Sequence, residues 1–335
     1  MIIERLQSEM PGHPFPIHGD LVERFTTAHG RDEADGTAWD PALAHALAVC
    51  CGFSYADAQT MGTMMSRVGI AANACVSIHE SVTAMQIFST VFLVQSSCGR
   101  VVVLCYRGTE GSNLGSWLGD YDYLPETMRL GPQHLHVHAG FHRNHRATRL
   151  AILNELAHAA GGRSLANPAE RVDHPLEALY VCGHSLGGAL AVLFAVGLAA
   201  DPDSRELAQR LRAVYTFGQP MLVVEPIPDV ARFTADKIFR HVYQRDVIPA
   251  LPPADWAPFV HLGHEYVYSQ GEWLLSDAPT AQARTMGAVS RSLLAMLGPR
   301  DGRAAARYHL RDHGPHHYIA ALRPKDRVTE FGDLA

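Results

Sequence analysis

Apolar and polar positions fall into blocks along the 335-residue chain, and the blocks predict strands and helices in alternation. Residues 1–40 show no sustained period; they are rich in Pro, Gly and charge and read as a loosely attached lead-in segment. Residues 41–55 carry Ala and Leu at helical spacing. Two apolar runs, 86–95 (QIFSTVFLVQ) and 101–106 (VVVLCY), flank SSCGR and predict a β-hairpin. Residues 140–160 follow a helical pattern, with Leu150, Ile152, Leu153 and Leu156 available to one face and Gly161-Gly162 ending it. A short buried strand is expected over 179–182 and helices over 186–199 and 203–212. Strands follow over 213–217 and 238–243, with a local hairpin over 266–273 around Gln270-Gly271. The C-terminal part reads as more helical.

Strands alternating with helices imply the α/β class: a mostly parallel sheet flanked by helices, made mixed by the early hairpin. Folds of this class often exceed ~250 residues as one domain, so residues 41–335 are expected to form a single domain behind the 1–40 lead-in.

One stretch, 178–200, has the length to cross a bilayer. Gly183, His184, Ser185, Gly187 and Gly188 interrupt its middle, so a buried strand followed by a buried helix explains it, and no transmembrane segment is expected. The opening MIIERLQSEMPGHPFP lacks a basic region followed by an apolar run. It is not a conventional secretory signal, and a cytoplasmic location is expected. Composition is that of a globular protein, 47% hydrophobic and 19% charged. The net charge of −6 comes without any basic block, which argues against a nucleic-acid partner. Six cysteines occur without a C-x-x-C pair, so reduced, mostly buried thiols are expected.

Candidate chemistry centres on Gly183-His184-Ser185-Leu186-Gly187, a G-x-S-x-G sequence between an apolar strand and an apolar helix. That context predicts a sharp turn that exposes Ser185 as a nucleophile, as in α/β-hydrolases. A serine hydroxyl needs a base to take its proton and an acid to orient the base, and in this fold both follow it in the chain. Asp246 stands at the carboxyl end of the 238–243 strand, where open α/β sheets place their sites. Asp229 and Asp236 precede that strand, and Asp255 lies in a Pro-rich loop. For the base, His313 and His316 are the main candidates, with His309 and His317 weaker. His134, His136 and His138 alternate along one run, with His142 and His145 nearby. A zinc site there would need about three convergent ligands with supporting partners.

Taken together, the motifs resemble the fungal-type class 3 lipases, an α/β-hydrolase family of triacylglycerol lipases with related feruloyl esterases and phospholipases. The resemblance runs from near Gln86 to near Leu322. Tyr106-Arg107-Gly108-Thr109 matches its aromatic-Arg-Gly-Ser/Thr block, and Ser116-Trp117-Leu118-Gly119-Asp120 resembles its Asn-Trp-aliphatic-x-Asp block. His138-Ala139-Gly140-Phe141 matches His-x-Gly-Phe, which gives His138 a place outside any metal site. Tyr215-Thr216-Phe217-Gly218-Gln219-Pro220 matches Tyr-Thr-Phe-Gly-x-Pro, and Asp246-Val247-Ile248-Pro249 matches Asp-x-Val-Pro with Ile for Val. Asp312-His313, with Tyr318, resembles its final Asp-His…Tyr block. The first eighty residues have no clear match.

The resemblance implies Ser185 as nucleophile, Asp246 as acid and His313 as base. Thr109 and the backbone N–H of Leu186 become the oxyanion hole. Residues 113–123, with Leu114, Trp117, Leu118 and Tyr121 at helical spacing, occupy the position of the family's lid. The implied activity is carboxylic ester hydrolysis, as a triacylglycerol lipase acting through an acyl-enzyme. Phospholipase A or a short-chain carboxylesterase would use the same groups. A lipase-like binding protein without catalysis is the rival of another class, and the survival of every required group argues against it. An acyl ester or lipid substrate and transient contact with a lipid–water interface are implied; no cofactor and no metal are expected.

Overall fold

Strands buried on both faces need an apolar residue at nearly every position, and the two most apolar runs lie at the centre of the sheet. A computed structural model of the chain describes residues 1–8, 16–27, 39–109, 124–252, 258–276, 310–325, 327–329 and 331. Its strands are β1 (Ile2–Gln7), β2 (Ala74–Val82), β3 (Ile87–Gln95), β4 (Val101–Tyr106), β5 (Pro125–Leu130), β6 (Gln133–His138), β7 (Ala178–His184), β8 (Leu211–Phe217), β9 (Val223–Val224), β10 (Ile238–Tyr243), β11 (Phe259–Val260), β12 (His264–Ser269) and β13 (Glu272–Leu275). Its helices are α1 (Leu21–Thr27), α2 (Pro41–Phe53), α3 (Ala58–Val68), α4 (Ala139–Ala160), α5 (Leu186–Ala200), α6 (Arg205–Arg210), α7 (Asp229–Ala235) and α8 (Pro315–Leu322).

The main sheet has nine strands in the order β1-β2-β3-β4-β7-β8-β10-β12-β13. The run from β4 to β12 is parallel, and antiparallel strands close both edges. Every residue of β4 and β7 is buried, as the continuous apolar runs require. Helices α1, α2, α3 and α8 pack on one face, and α4, α5 and α7 on the other. A small second sheet, β11-β9-β6-β5, is built from short strands. No single helix among the described residues is long and apolar enough to cross a membrane.

Most predicted elements form within a residue or two of their expected bounds. The expected 203–212 helix is shorter: a 3-10 turn leads into α6, and the chain already extends as β8 from Leu211. The N-terminal lead-in is more closely attached than its composition suggests. β1 pairs antiparallel with β2 as an edge strand. Arg5 makes a bidentate contact to the buried Glu155 at 2.6 Å. Leu21 and Phe25 of α1 are fully buried, and Tyr180 donates its hydroxyl to the Phe25 carbonyl at 3.1 Å. A mostly exposed edge strand and a seven-residue helix carry little hydrophobic periodicity, which is why the pattern does not reveal them.

At the other end of this segment, Asp40 caps α2 by accepting from the Ala42 and Leu43 amides, with Pro41 in the first turn. The capped helix runs under β7, and its exit carries Tyr55 to the carboxyl ends of β4 and β7.

Candidate active site

At the end of β7 the chain reverses into α5 through one residue. Ser185 takes φ 57° and ψ −130°, a strained conformation of the kind that persists only when its surroundings enforce it. The neighbouring glycines allow the approach. A Cβ on Gly183 would lie 2.2 Å from the Gly187 carbonyl carbon, and one on Gly187 would lie 2.1 Å from the Tyr106 carbonyl oxygen. The Ser185 amide donates to the Phe217 carbonyl at 2.9 Å, and its own carbonyl accepts from Gly188. Its hydroxyl is buried and has no hydrogen-bond partner among the described residues. Leu186 heads α5, so its N–H is one of the helix's unpaired donors at the positive end of the macrodipole.

Two neighbouring loops supply the acid and the imidazole. Beyond β10, the Asp246 amide donates to the Tyr243 carbonyl at 2.9 Å, closing a tight turn that buries the carboxylate. Asp246 Oδ1 accepts from the Ile248 amide at 2.9 Å. Asp246 Oδ2 accepts from His313 Nδ1 at 2.8 Å and from the Tyr318 hydroxyl at 2.5 Å. His313 ends a 3-10 turn just before α8, and the side chain of Asp312 docks that turn by accepting from the Arg245 amide at 3.2 Å. With Nδ1 donating, His313 presents Nε2 as a lone-pair acceptor; that atom is buried and has no partner among the described residues. Burial first, and then the Asp246 charge, push the Tyr318 phenol well above its ordinary range, so it stays a neutral donor. Of the alternatives, Asp229, Asp236 and His316 are exposed, and His317 stacks on Tyr243. Asp255 and His309 lie outside the described residues.

Gly108 and the half-buried Thr109 leave β4 beside the serine. A Cβ on Gly108 would lie 3.2 Å from Ser185 Cβ, 2.6 Å from the His184 carbonyl oxygen and 2.4 Å from the Tyr55 hydroxyl. Sequence reasoning missed two participants in this crowding. The Tyr55 hydroxyl lies 3.0 Å from His184 Nδ1, and His184 Nε2 lies 2.7 Å from the His313 carbonyl oxygen. His184 was in view as the second residue of the G-x-S-x-G motif; Tyr55 carries no local signal.

The lid residues Leu114, Trp117, Leu118 and Tyr121 lie outside the described residues. His134 and His136 are exposed, whereas His138 turns inward and stacks on Phe141 at 4.0 Å. All six cysteines are free thiols, five of them buried. The sulfur atoms of Cys50, Cys105 and Cys182 lie within 4.8 Å of one another in the core. Burial pushes the Cys182 thiol well above its ordinary range; at Cys105 burial acts the same way, but hydrogen bonds from Cys182, Cys50 and Cys51 hold it well below that range.

Residues 103–256 match the family model described as lipase (class 3). A triacylglycerol lipase of Arabidopsis thaliana is 28% identical over 206 residues, covering 54% of this chain and 39% of that protein. A lipase of Rhizomucor miehei is 28% identical over 182 residues, covering 54% of this chain and 43% of that protein. The match therefore spans less than half the length of either relative. The fold is similar to that of a lipase from Rhizopus microsporus var. chinensis, with a TM-score of 0.54 at 16% identity over 92% of this chain and 94% of that one.

Proposed function

We propose, from the match of residues 103–256 to the lipase (class 3) family model and the similarity to known lipases, that this chain is a serine hydrolase of carboxylic esters whose substrates are triacylglycerols, met at a lipid–water interface. The observation that carries this reading is the orientation of His313. Its Nδ1 is held by Asp246, and its Nε2 is left as an acceptor in the same buried site as the unpartnered Ser185 hydroxyl.

Ser185 Oγ attacks the ester carbonyl while its proton passes to His313 Nε2. The carbonyl oxygen becomes an oxyanion and accepts from the Leu186 N–H and from Thr109. Asp246 keeps the ring oriented and stabilises the imidazolium. Collapse breaks the bond to the alcohol oxygen, which leaves with the proton from His313. Water then attacks the acyl-enzyme, giving its proton to His313, and the acid is released as Ser185 recovers its own.

Initial rates on p-nitrophenyl esters of graded chain length, an emulsified triglyceride and a phospholipid test the proposal. Turnover that favours the triglyceride, with a fluorophosphonate probe on Ser185, is expected. Preference for the phospholipid makes the protein a phospholipase A, and rates confined to the shortest esters make it a carboxylesterase. No fatty-acid release with Ser185 unlabelled leaves only a binding protein.

A further inference from the structure

We propose that Tyr55 and His184 act as a positioning pair that holds the main chain of His313 where its imidazole can serve Ser185. The inference rests on the hydrolase reading above and assigns a role to two side chains that the reaction leaves unused.

Both ring nitrogens of His184 are engaged. The carbonyl of His313 can only accept, so His184 Nε2 must carry the proton it donates over 2.7 Å. A neutral imidazole then leaves Nδ1 as an acceptor, and the Tyr55 hydroxyl donates to it over 3.0 Å. The His313 carbonyl thus selects the tautomer of His184, and the Tyr55 hydroxyl supplies the donor that this tautomer needs at Nδ1. Were the tautomer reversed, two lone pairs would face each other at His313. Burial, and next the nearby His313, hold His184 well below its ordinary range, so the ring stays neutral and the pattern is fixed.

The held carbonyl belongs to the residue whose side chain does the work. Asp246 grips the His313 ring and His184 grips its backbone, with the two imidazole centroids 4.5 Å apart. His313 sits in a three-residue turn, which has little rigidity of its own, so a second anchor matters there. Tyr55 is well placed to supply it. Ser54, at the end of α2, donates its amide to Cys50 and its hydroxyl to the Cys51 carbonyl. The Arg107 guanidinium lies over the Tyr55 ring at 5.8 Å. The Tyr55 hydroxyl also fills the space left by the missing side chain of Gly108. The first eighty residues match no family block, yet through Tyr55 they reach the centre of the site.

Three variants and the unsubstituted protein decide the matter, assayed with a water-dissolved p-nitrophenyl ester. Tyr55→Phe should lower kcat about tenfold, the scale of one lost buried hydrogen bond, with KM changed less than twofold. His184→Leu should lower kcat about 100-fold, the cost of a ~1 Å misplacement. His184→Gln keeps a side-chain N–H donor and should recover most of that loss. Burst amplitude and fluorophosphonate stoichiometry should stay near one per chain in all three, with only the rate reduced. Unchanged kcat in Tyr55→Phe and His184→Leu overturns the pair alone. So does a reduced amplitude at unchanged burst rate, which marks a purely structural role. An unsubstituted protein with no burst and no label overturns the hydrolase reading, and the pair with it.

Discussion

Three glycines show how strictly single positions are set around the serine. Gly183 and Gly187 let β7, α5 and the end of β4 approach until any Cβ would overlap a main-chain atom. Gly218 does something different, because its neighbours are the working side chains. It sits at φ +61°, and a Cβ there would lie 2.6 Å from Asp246 Oδ2 and 2.9 Å from His313 Nδ1. Alanine can adopt that backbone at a cost of ~1–2 kcal/mol, which the fold should survive. It cannot coexist with the present Asp246–His313 geometry. Gly218→Ala is therefore expected to lower kcat about 100-fold, as a displacement near 1 Å does, while its melting temperature falls only a few degrees. Steady-state kinetics beside calorimetry checks this, and full activity would mean that the carboxylate and imidazole work from another arrangement. Residue by residue, legibility followed locality. Ser185 is readable because its glycines flank it in sequence, and Asp246 because it follows closely on the carboxyl end of a strand. The Tyr55–His184 contact joins residues 129 apart and leaves no trace in either neighbourhood.

Elements were legible where burial was complete. β4, β7 up to its last residue and α5 are apolar and stand out as blocks, and the Gln270-Gly271 turn joining β12 to β13 has both residues at positive φ, as a tight hairpin requires. α3 and β2 were not read. The Met-rich stripe of α3 is broken by Gly62, whose Cβ would press on Asn73 Oδ1 at 3.1 Å, and the second half of β2 turns polar and exposed. The strands β9 and β11 have two residues each, too few to make a pattern. The expected lid over 113–123 also belongs to this scale. The sequence sets Gly111, Gly115 and Gly119 among Leu114, Trp117, Leu118 and Tyr121, and each glycine weakens a helix by roughly 1 kcal/mol relative to Ala. The lid reading has Trp117 and Leu118 exchange protein contact in water for lipid contact at an interface. Tributyrin hydrolysis is expected to jump as substrate passes its solubility limit, and Trp117→Ala should lose more activity on emulsions than on dissolved esters. A smooth saturation curve with equal losses on both would reject the lid.

At the scale of the whole molecule, the 20 histidines of the chain bear on its response to acid. His45, His145 and His241 are fully enclosed, and burial lowers each from 6.5 to about 3. His18, next to His45 at 3.1 Å, is lowered to about 4, again chiefly by burial. The groups are spread over both layers. His18 and His45 lie with α1 and α2, His145 lies on α4, and His241 lies in the sheet between the Thr216 carbonyl and the Trp39 indole N–H. For His241 the neutral ring is the only form that fits, because its Nδ1 donates to Thr216 and its Nε2 must accept from Trp39. Folded-state values below the unfolded one mean that the unfolded chain binds more protons as pH falls. Stability from these rings is therefore complete above 6.5 and is lost progressively down to about 3–4. Each enclosed ring forfeits about 1.4 kcal/mol per pH unit in that window, and a net stability of ~5–15 kcal/mol absorbs only a few units of such loss. Carboxylates ordinarily titrate near 4, so the stretch between about pH 6.5 and 5 isolates the histidines. The urea midpoint should fall steadily across that stretch, and replacing His45 by Phe should reduce the slope by about one proton. A midpoint that stays flat to about pH 5 would show that the rings take up protons without unfolding the chain, through water or motion reaching sites that are closed in this fold.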